Sequence, residues 1–542
     1  MIRKDAFRRT TVSFLLIMGM AVGFYPSASS AAAALPYDDI RNNYATEAIV
    51  NMTKLHFITG TGDRLFQPDK AISRAEFMTM IGRMLGIRPV SGAIPPFADV
   101  PKTAWYDAWV QPAIQLGLAE GTSPRTFEPN RAVTREEAAV ILARALKQSS
   151  AATVAPPDAR YLDQDRIASW AQPSVARLSV LGLIAGDENG NFRPGTSITR
   201  QDAAVLMNRA WTHPGWSDQM QSSPPATIQL GWQYAQTTAQ FERQVAQSTV
   251  NTLSPPWYYL GKTGAIEDHA DAALIAWAHQ QGKQVWAMVG NHSDQAATHA
   301  MLSDKARRQA FVQQLAERVR KYGSDGLNVD FENVMPQDRD DFTAFITALH
   351  QQLTAVPAVL SVNVSPDLGS DWTEVFDYEA LGKNADYVVL MGYDEHWGGD
   401  PVAGSVSSLP WLRQGLSDLL LQVPADKTIL AVPLYTRDWQ TSAGGAAVSA
   451  EIDLLRQNSL VLSKKPSLHW DERLGQYVAQ YGDKSAPHRI WLEDGRSLTL
   501  KTRLGDSYSL AGTAYWYMGG ESSDIWTSLR NAMRYDAYDF SA

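Results

Sequence analysis

The chain has 542 residues, more than one hydrophobic core usually organises, so two or more domains are expected. A net charge of −9 offers no basic surface for nucleic acid, and the absence of cysteine excludes disulfides, thiolate metal sites and cysteine nucleophiles. With 17 Trp and 20 Tyr against only 19% charged residues, flat aromatic faces suited to sugar rings are plentiful beside their ordinary use in cores.

At the N-terminus, Arg3, Lys4, Arg8 and Arg9 precede an apolar run over 14–24, and small residues fill 27–34. This is the layout of a secretory signal, placed at 1–34. The run is too short to span a bilayer comfortably and has no later counterpart, so the mature chain is expected to be exported, without a membrane span, and soluble or wall-bound.

A unit then returns three times. Gly60, Gly121 and Gly186 are each followed by Phe66, Phe127 and Phe192, and these by Pro68, Pro129 and Pro194. A tetrad keeps step: Ser73-Arg74-Ala75-Glu76, Thr134-Arg135-Glu136-Glu137 and Thr199-Arg200-Gln201-Asp202 each open an apolar-periodic helix, such as 77–85 or 138–146. Ser or Thr followed three residues later by Glu, or Asp in the third copy, is a capping box that closes a helix N-terminus. Capping leaves the arginine unexplained, because a cation in the first turn faces the positive end of the helix dipole. Three such arginines point to an anionic ligand held by guanidinium and free backbone N–H groups.

The repeat resembles the S-layer homology domain, with copies at 36–90, 95–148 and 159–212. The resemblance implies mainly helical units around a pseudo-threefold axis within one chain, with grooves that bind a pyruvylated secondary cell-wall polysaccharide. It implies that Arg74, Arg135 and Arg200 meet the acidic ketal, that Asp39, Asp99 and Asp163 open each copy and contact the sugar, and that Trp105 and Trp170 stack on it. The first copy reads Asn43-Tyr44-Ala45 at that place, so its groove is expected to be the weaker, compensated by avidity from the other two.

Residues 213–227 turn to Pro, Ser, Gly and Gln without periodicity and read as an exposed linker. The remainder, 228–542, has the length of one (β/α)8 barrel. Strand-like segments fall at 228–234, 252–260, 285–289, 326–332, 359–364, 387–393, 428–432, 489–492 and 512–517, with helix-like stretches such as 266–281 and 303–322. Nine candidates for eight places mean that one is no barrel strand or belongs to an insertion.

Within this region Asp325-Gly326-Leu327-Asn328-Val329-Asp330-Phe331-Glu332 carries the chemistry. Alternation along a strand sends Asn328, Asp330 and Glu332 to one face and Leu327, Val329 and Phe331 to the other. A row of carboxylates on a strand of a buried sheet is costly and points to catalysis at the strand's C-terminal end. The other strand ends supply Asn363, the run 391–397, Tyr435, Glu493 and Trp516; core packing suffices for Met391 and Trp397, and suits Tyr393 and Asp394 poorly.

The octad resembles the DxxDxDxE signature of glycoside hydrolase family 18, and the stretches 254–258, 391–397, 401–405, 432–437 and 490–494 resemble its spore cortex-lytic and wall-directed N-acetylglucosaminidases. The resemblance implies a retaining β-N-acetylglucosaminidase in which the substrate's own 2-acetamido oxygen attacks the anomeric carbon, an exception to the two-carboxylate scheme. Glu332 would be the acid, kept protonated by burial and by Asp330, since two close carboxylates cannot ionise independently. Asp330 would orient the acetamide, Tyr393 would hydrogen-bond its carbonyl and Trp516 would form the floor. Asp394, Asp325, Asn328, Tyr435 and Glu493 are the further substrate-side candidates, and no metal or cofactor is needed. Asn328 replaces the middle acidic residue; it is expected to hydrogen-bond Asp330 and to leave it more acidic. Three readings follow: a monomeric, wall-anchored enzyme acting on peptidoglycan, a surface-displayed chitinase, and a non-catalytic sugar-binding wall protein.

Overall fold

The computed structural model describes residues 35–149, 161–367, 369–441, 447–483 and 486–541, so the expected export signal lies outside the described residues. No helix among those described is long and apolar enough to cross a membrane.

Each tetrad opens a helix: Arg74–Met84, Arg135–Ala145 and Arg200–Thr212. The hydroxyls of Ser73, Thr134 and Thr199 accept from the backbone of Glu76, Glu137 and Asp202, whose carboxylates accept in return from the capping residues' N–H groups. Just ahead of these helices, Ile72 N–H donates to Ile198 O at 3.1 Å, Ile198 to Val133 O at 3.0 Å, and Val133 to Ile72 O at 3.0 Å. This closed ring marks a pseudo-threefold axis and satisfies backbone groups that would otherwise be buried unpaired. Phe66, Phe127 and Phe192 are fully buried in the core that the three units share.

Behind the helical module eight parallel strands close a barrel: Ile228–Gln233, Thr252–Ser254, Gln284–Gly290, Gly326–Asp330, Val359–Val364, Tyr387–Met391, Thr428–Pro433 and Gly512–Met518. Alternation sorts their side chains. Leu327 and Val329 pack outward against the helices, while Leu230, Trp232, Trp286, Met288, Val389 and Ile429 fill the interior. The stretch 266–281, expected to be helical throughout, begins as strand Ile266–Asp268, antiparallel to Pro256–Leu260; its helix, Ala272–Gln280, starts only after the Asp271 cap.

The surplus strand belongs to an insertion. His488–Leu492 lies in the middle of a five-stranded antiparallel sheet with Tyr435–Thr441, Ala447–Asp453, Gln476–Tyr481 and Ser467–Asp471. This sheet grows from the end of strand Thr428–Pro433, so it stands beside the barrel mouth.

Residues 213–227 differ from the expected exposed linker. They contain helix Trp216–Gln221, in which Trp216 and Met220 are buried, and Trp216 packs edge-on against Phe540 at 5.5 Å. The C-terminal tail completes the helical module: Tyr535, Tyr538 and Phe540 join its core, Gln148 Nε2 donates to Phe540 O at 2.7 Å, and Tyr538 OH to Leu85 O at 2.6 Å. Arg88 and Asn531 exchange two further hydrogen bonds, at 2.9 and 2.8 Å. A shared apolar core with bonded edges makes the two units pack as one, unlike domains joined by a free tether.

Candidate active site and wall-facing grooves

Strand Gly326–Asp330 delivers Asp330 to the C-terminal mouth of the barrel, in register with Gly290. One turn of the pleat below, Asn328 is fully buried: its Oδ1 accepts from Trp232 Nε1 at 2.8 Å and Ser254 Oγ at 3.3 Å, and its Nδ2 donates to Ser361 Oγ at 2.9 Å and Asn363 Oδ1 at 2.7 Å. These bonds use the amide's full capacity. Asn363 Nδ2 then donates to Asp330 Oδ1 at 3.0 Å. Asn328 therefore reaches Asp330 through Asn363 and not directly. Nor is Asp330 more acidic than usual: burial pushes its carboxyl up to about 7, the charge of Glu332 adds to this, and the Asn363 bond opposes it.

Glu332 lies two residues on, after the strand has ended, and is exposed, contrary to the expected burial. Asn291 grips its backbone from both sides, accepting from Glu332 N at 3.0 Å and donating to Glu332 O at 2.7 Å. Its Oε2 accepts from Ser293 Oγ at 3.0 Å. Asn291 and Ser293 were missed in the sequence, although the polar run after strand Gln284–Gly290 at the same rim was a usable signal.

Tyr393, Asp394, Tyr435 and Trp516 come together across the mouth. Tyr393 lies nearly parallel to Trp516 at 6.3 Å and edge-on to Tyr435 at 6.3 Å. Burial holds its hydroxyl well above the usual range, and the charges of Asp330, Asp394 and Glu332 add to that. Tyr435 OH donates to Asp394, whose carboxyl is raised by burial against the pull of that bond and of Arg437. Trp516 is braced by Trp232 at 5.8 Å and Tyr234 at 5.4 Å, and its peptide bond to Tyr517 is cis. Trp397 is 55% exposed and so is no core residue. The arrangement is an open, aromatic-walled mouth with the half-buried Asp330 carboxyl beneath it and the exposed Glu332 and Asp394 at its edge.

Two predicted residues lie elsewhere. Asp325 precedes the strand, and five residues at ~3.3 Å rise place it roughly 17 Å from the mouth. Its Oδ2 accepts from Val285 N at 2.8 Å and pairs with His279 Nε2 at 2.9 Å, clamping the barrel's opposite end. Glu493 is completely buried; Lys501, Ser497 Oγ at 2.7 Å and Gln476 Nε2 at 2.7 Å occupy its carboxylate. It ties the inserted sheet to helix Gly495–Ser507 and has no free face for a ligand.

In the helical module the tetrad arginines cross to the following repeat. Arg74 donates to Phe127 O and Glu120 O, both at 3.0 Å; Arg135 to Phe192 O at 2.7 Å and Ala185 O at 2.9 Å; Arg200 to Phe66 O at 2.8 Å and Thr59 O at 2.7 Å. Each guanidinium also sits over the phenylalanine ring it reaches, between 4.7 and 5.0 Å from the centroid. The arginines thus have an architectural task that capping did not reveal. Asp39, Asp99 and Asp163 are likewise engaged by backbone, each accepting from two successive N–H groups: Phe66 and Gln67, Phe127 and Glu128, Phe192 and Arg193. The second residue of each pair is left-handed (φ 58°, 56° and 56°), so the carboxylates hold strained loop corners, with both oxygens engaged there.

The grooves differ in their free charge. Arg74 faces Glu137 at 3.3 Å and Arg200 faces Glu76 at 4.0 Å. The position that would face Arg135 holds Asp202, one methylene shorter, whose oxygens accept instead from Thr199 N at 2.9 Å and Tyr44 OH at 2.7 Å. Among the described residues no carboxylate pairs with Arg135. Its groove is a cavity of about 410 Å³ also lined by Tyr44, Arg193, Thr199 and Arg209. Tyr44, Trp105 and Trp170 each stand one residue before a helix cap and are 69%, 59% and 56% exposed. The first copy therefore presents an aromatic face where the others do, and that face belongs to the Arg135 groove.

Residues 242–521 match the family model for glycosyl hydrolases family 18, and 36–78, 96–139 and 160–204 each match the S-layer homology domain. Over 298 residues the chain is 28% identical to an uncharacterized glycosylase of Bacillus subtilis, YvbX, a match covering 53% of this chain and 85% of that protein. The cortical fragment-lytic enzyme of the same species is 26% identical over 303 residues, 52% of this chain and 69% of that protein. Two solved structures share the fold: a chitinase from Chromobacterium violaceum (24% identity, TM-score 0.53, 57% of this chain and 99% of that one) and the spore cortex-lytic enzyme SleL of Bacillus megaterium (22%, 0.51, 57% and 74%). The chain belongs to glycosyl hydrolases family 18: it is a glycosidase whose barrel follows three S-layer homology domains of the kind that associate proteins with the cell wall.

Proposed function

We propose that this glycosidase is exported, held at the bacterial wall, and cleaves β-1,4 bonds after N-acetylglucosamine in peptidoglycan with retention, using the substrate's acetamide. The observation that carries the mechanism is the pairing of a half-buried Asp330, whose desolvation raises it to about 7, with an exposed Glu332 on the open side of the same mouth. At rest the site's proton is held low, on Asp330. A bound sugar brings an acetamide N–H against Asp330, which favours the Asp330 anion and releases its proton to Glu332.

Glu332 then gives its proton to the glycosidic oxygen as the bond to C1 breaks, and the acetamido oxygen bonds C1 to form an oxazolinium. Asp330 accepts the acetamide N–H, and Tyr393, whose hydroxyl stays protonated, donates to the carbonyl oxygen. Trp516, braced by Trp232 and Tyr234, supplies the floor under the ring. Water attacks C1 in the second step, the bond from C1 to the acetamido oxygen breaks and restores the acetamide, and the water's proton passes to the Glu332 carboxylate. Holding nucleophile and carbon in one molecule supplies effective molarities of about 10⁵ M or more, so the protein's part is to orient.

For the anchor, the Arg135 groove is the reading's principal site: a cationic group without a carboxylate partner, beside an exposed tyrosine, suits the acidic ketal of a pyruvylated wall polysaccharide. Mass spectrometry of digested peptidoglycan and chitin oligomers tests the substrate. New N-acetylglucosamine reducing ends from peptidoglycan, lost in Glu332→Gln, are expected. Activity confined to chitin would select the chitinase reading, and no activity on either would leave a sugar-binding wall protein.

A further inference from the structure

The mechanism above gives no role to the hydrogen bond from Ser293 Oγ to Glu332 Oε2, yet the turn that presents it is conformationally expensive. His292 and Ser293 are both left-handed without being glycine, with φ of 54° and 52°, and Asn333, beside the acid, is left-handed at 53°. Each such residue costs about 1 kcal/mol or more, so the conformation persists only where its surroundings enforce it. They do so here from every side. Asn291 Oδ1 accepts from Ser293 N at 3.2 Å as well as from Glu332 N, and its Nδ2 is held by Thr298 Oγ1 at 2.9 Å. Asn333 Nδ2 donates to Ser293 O at 3.1 Å. His292 stacks on Tyr259 at 4.1 Å and pairs with Glu267 at 2.9 Å.

A carboxylic acid has one oxygen that carries the proton and one that does not, and only the second accepts a hydrogen bond well. We propose that Ser293 is a positioning residue for the general acid: by donating to Oε2 it makes that atom the carbonyl oxygen and leaves Oε1 to carry the proton toward the glycosidic oxygen. This rests on reading Glu332 as the acid. When the Oε1 proton moves to the glycosidic oxygen, the electrons of the C1–O bond leave with that oxygen, and the negative charge spreads over both carboxylate oxygens. The Ser293 bond then becomes charge-assisted, so it is stronger after proton transfer than before and lowers the barrier to that transfer alone.

The test uses the full chain and aryl or alkyl β-glycosides of N-acetylglucosamine oligomers that differ only in the acidity of the leaving alcohol. Ser293→Ala is expected to lower kcat about ten- to a hundredfold for a poor leaving group, the usual worth of a hydrogen bond to a charged group, and to leave kcat for a dinitrophenyl glycoside and all KM values nearly unchanged. Ser293→Gly removes the hydroxyl while keeping a backbone that tolerates positive φ, so the test survives if the alanine variant folds poorly. An equal loss for good and poor leaving groups, or no loss, would overturn the role of Ser293. Glu332→Gln separates the two claims: if it keeps turnover on poor leaving groups, the acid assignment itself fails, whereas its loss beside an indifferent Ser293→Gly refutes only the serine.

Discussion

Asn363 and Asp330 sit on neighbouring strands with Nδ2 and Oδ1 3.0 Å apart, and this one bond joins the buried amide network of the barrel interior to the carboxyl at its mouth. Asn363→Ala takes from Asn328 one of its two acceptors, leaving Ser361, and takes from Asp330 its Nδ2 donor. It is expected to cost about 1–3 kcal/mol in urea unfolding and at least about tenfold in kcat, since both buried groups lose a partner. A variant of wild-type stability and activity would show that the network does not support the site.

Asp330 should make stability depend on pH in a defined window. Its carboxyl is raised from 3.8 to about 7, so between these values the folded protein keeps a proton that the unfolded chain has released. Stability contributed by this group is fully present below pH 4, falls as pH rises through about 7, and is level above. Asp330→Asn abolishes that titration. The melting temperature of the variant relative to wild type should therefore climb between pH 4.5 and 8; a difference that stays flat would contradict the burial of the charge.

The tetrad arginines should separate into two classes. Arg74 is 5% exposed and donates to Phe127 O and Glu120 O, so Arg74→Ala is expected to destabilise the helical module by about 1–3 kcal/mol, the cost of leaving a buried acceptor without its donor, while Glu137 keeps its ion pair with Arg131. Arg135 makes the matching bonds to Phe192 O and Ala185 O but is partly exposed, so water replaces part of what its loss removes. Arg135→Ala should therefore cost less stability than Arg74→Ala yet lose most of its co-sedimentation with purified walls, a pattern that calorimetry and pelleting distinguish directly.

The tail shared between the two units predicts a single cooperative unfolding transition. Tyr538→Ala removes a buried ring and its bond to Leu85 O, and should lower stability by about 3–5 kcal/mol for both units together. Residues 36–212 expressed alone would expose the face that Tyr535, Tyr538 and Phe540 cover, so that fragment should be less soluble than the full chain. Two separate transitions in scanning calorimetry would show that the shared core does not couple the units.

Lys501→Met should cost about 3–5 kcal/mol by stranding Glu493 in the interior, while kcat per folded molecule stays near wild type. A large kcat loss with intact stability would return Glu493 to the site.

The amino-acid sequence determined the elements whose cause is local: the three capping boxes, the alternation that turns Asn328 and Asp330 to one face, and the polar strand ends where Tyr393 and Trp516 stand. These are set by residues two to four positions apart, so they are legible without the fold. Tertiary structure alone decided that Asp325 lies at the far end of the barrel, that Glu493 is neutralised by Lys501, that Asp330 is the more buried carboxyl and Glu332 the exposed one, and that among the described residues Arg135 rather than Arg74 or Arg200 lacks an anionic partner. It also decided that the C-terminal tail lies within the core of the first module. Each of these depends on which groups are desolvated and which partner meets them across the fold. Burial and long-range pairing set the energies of charges, and no local pattern encodes them.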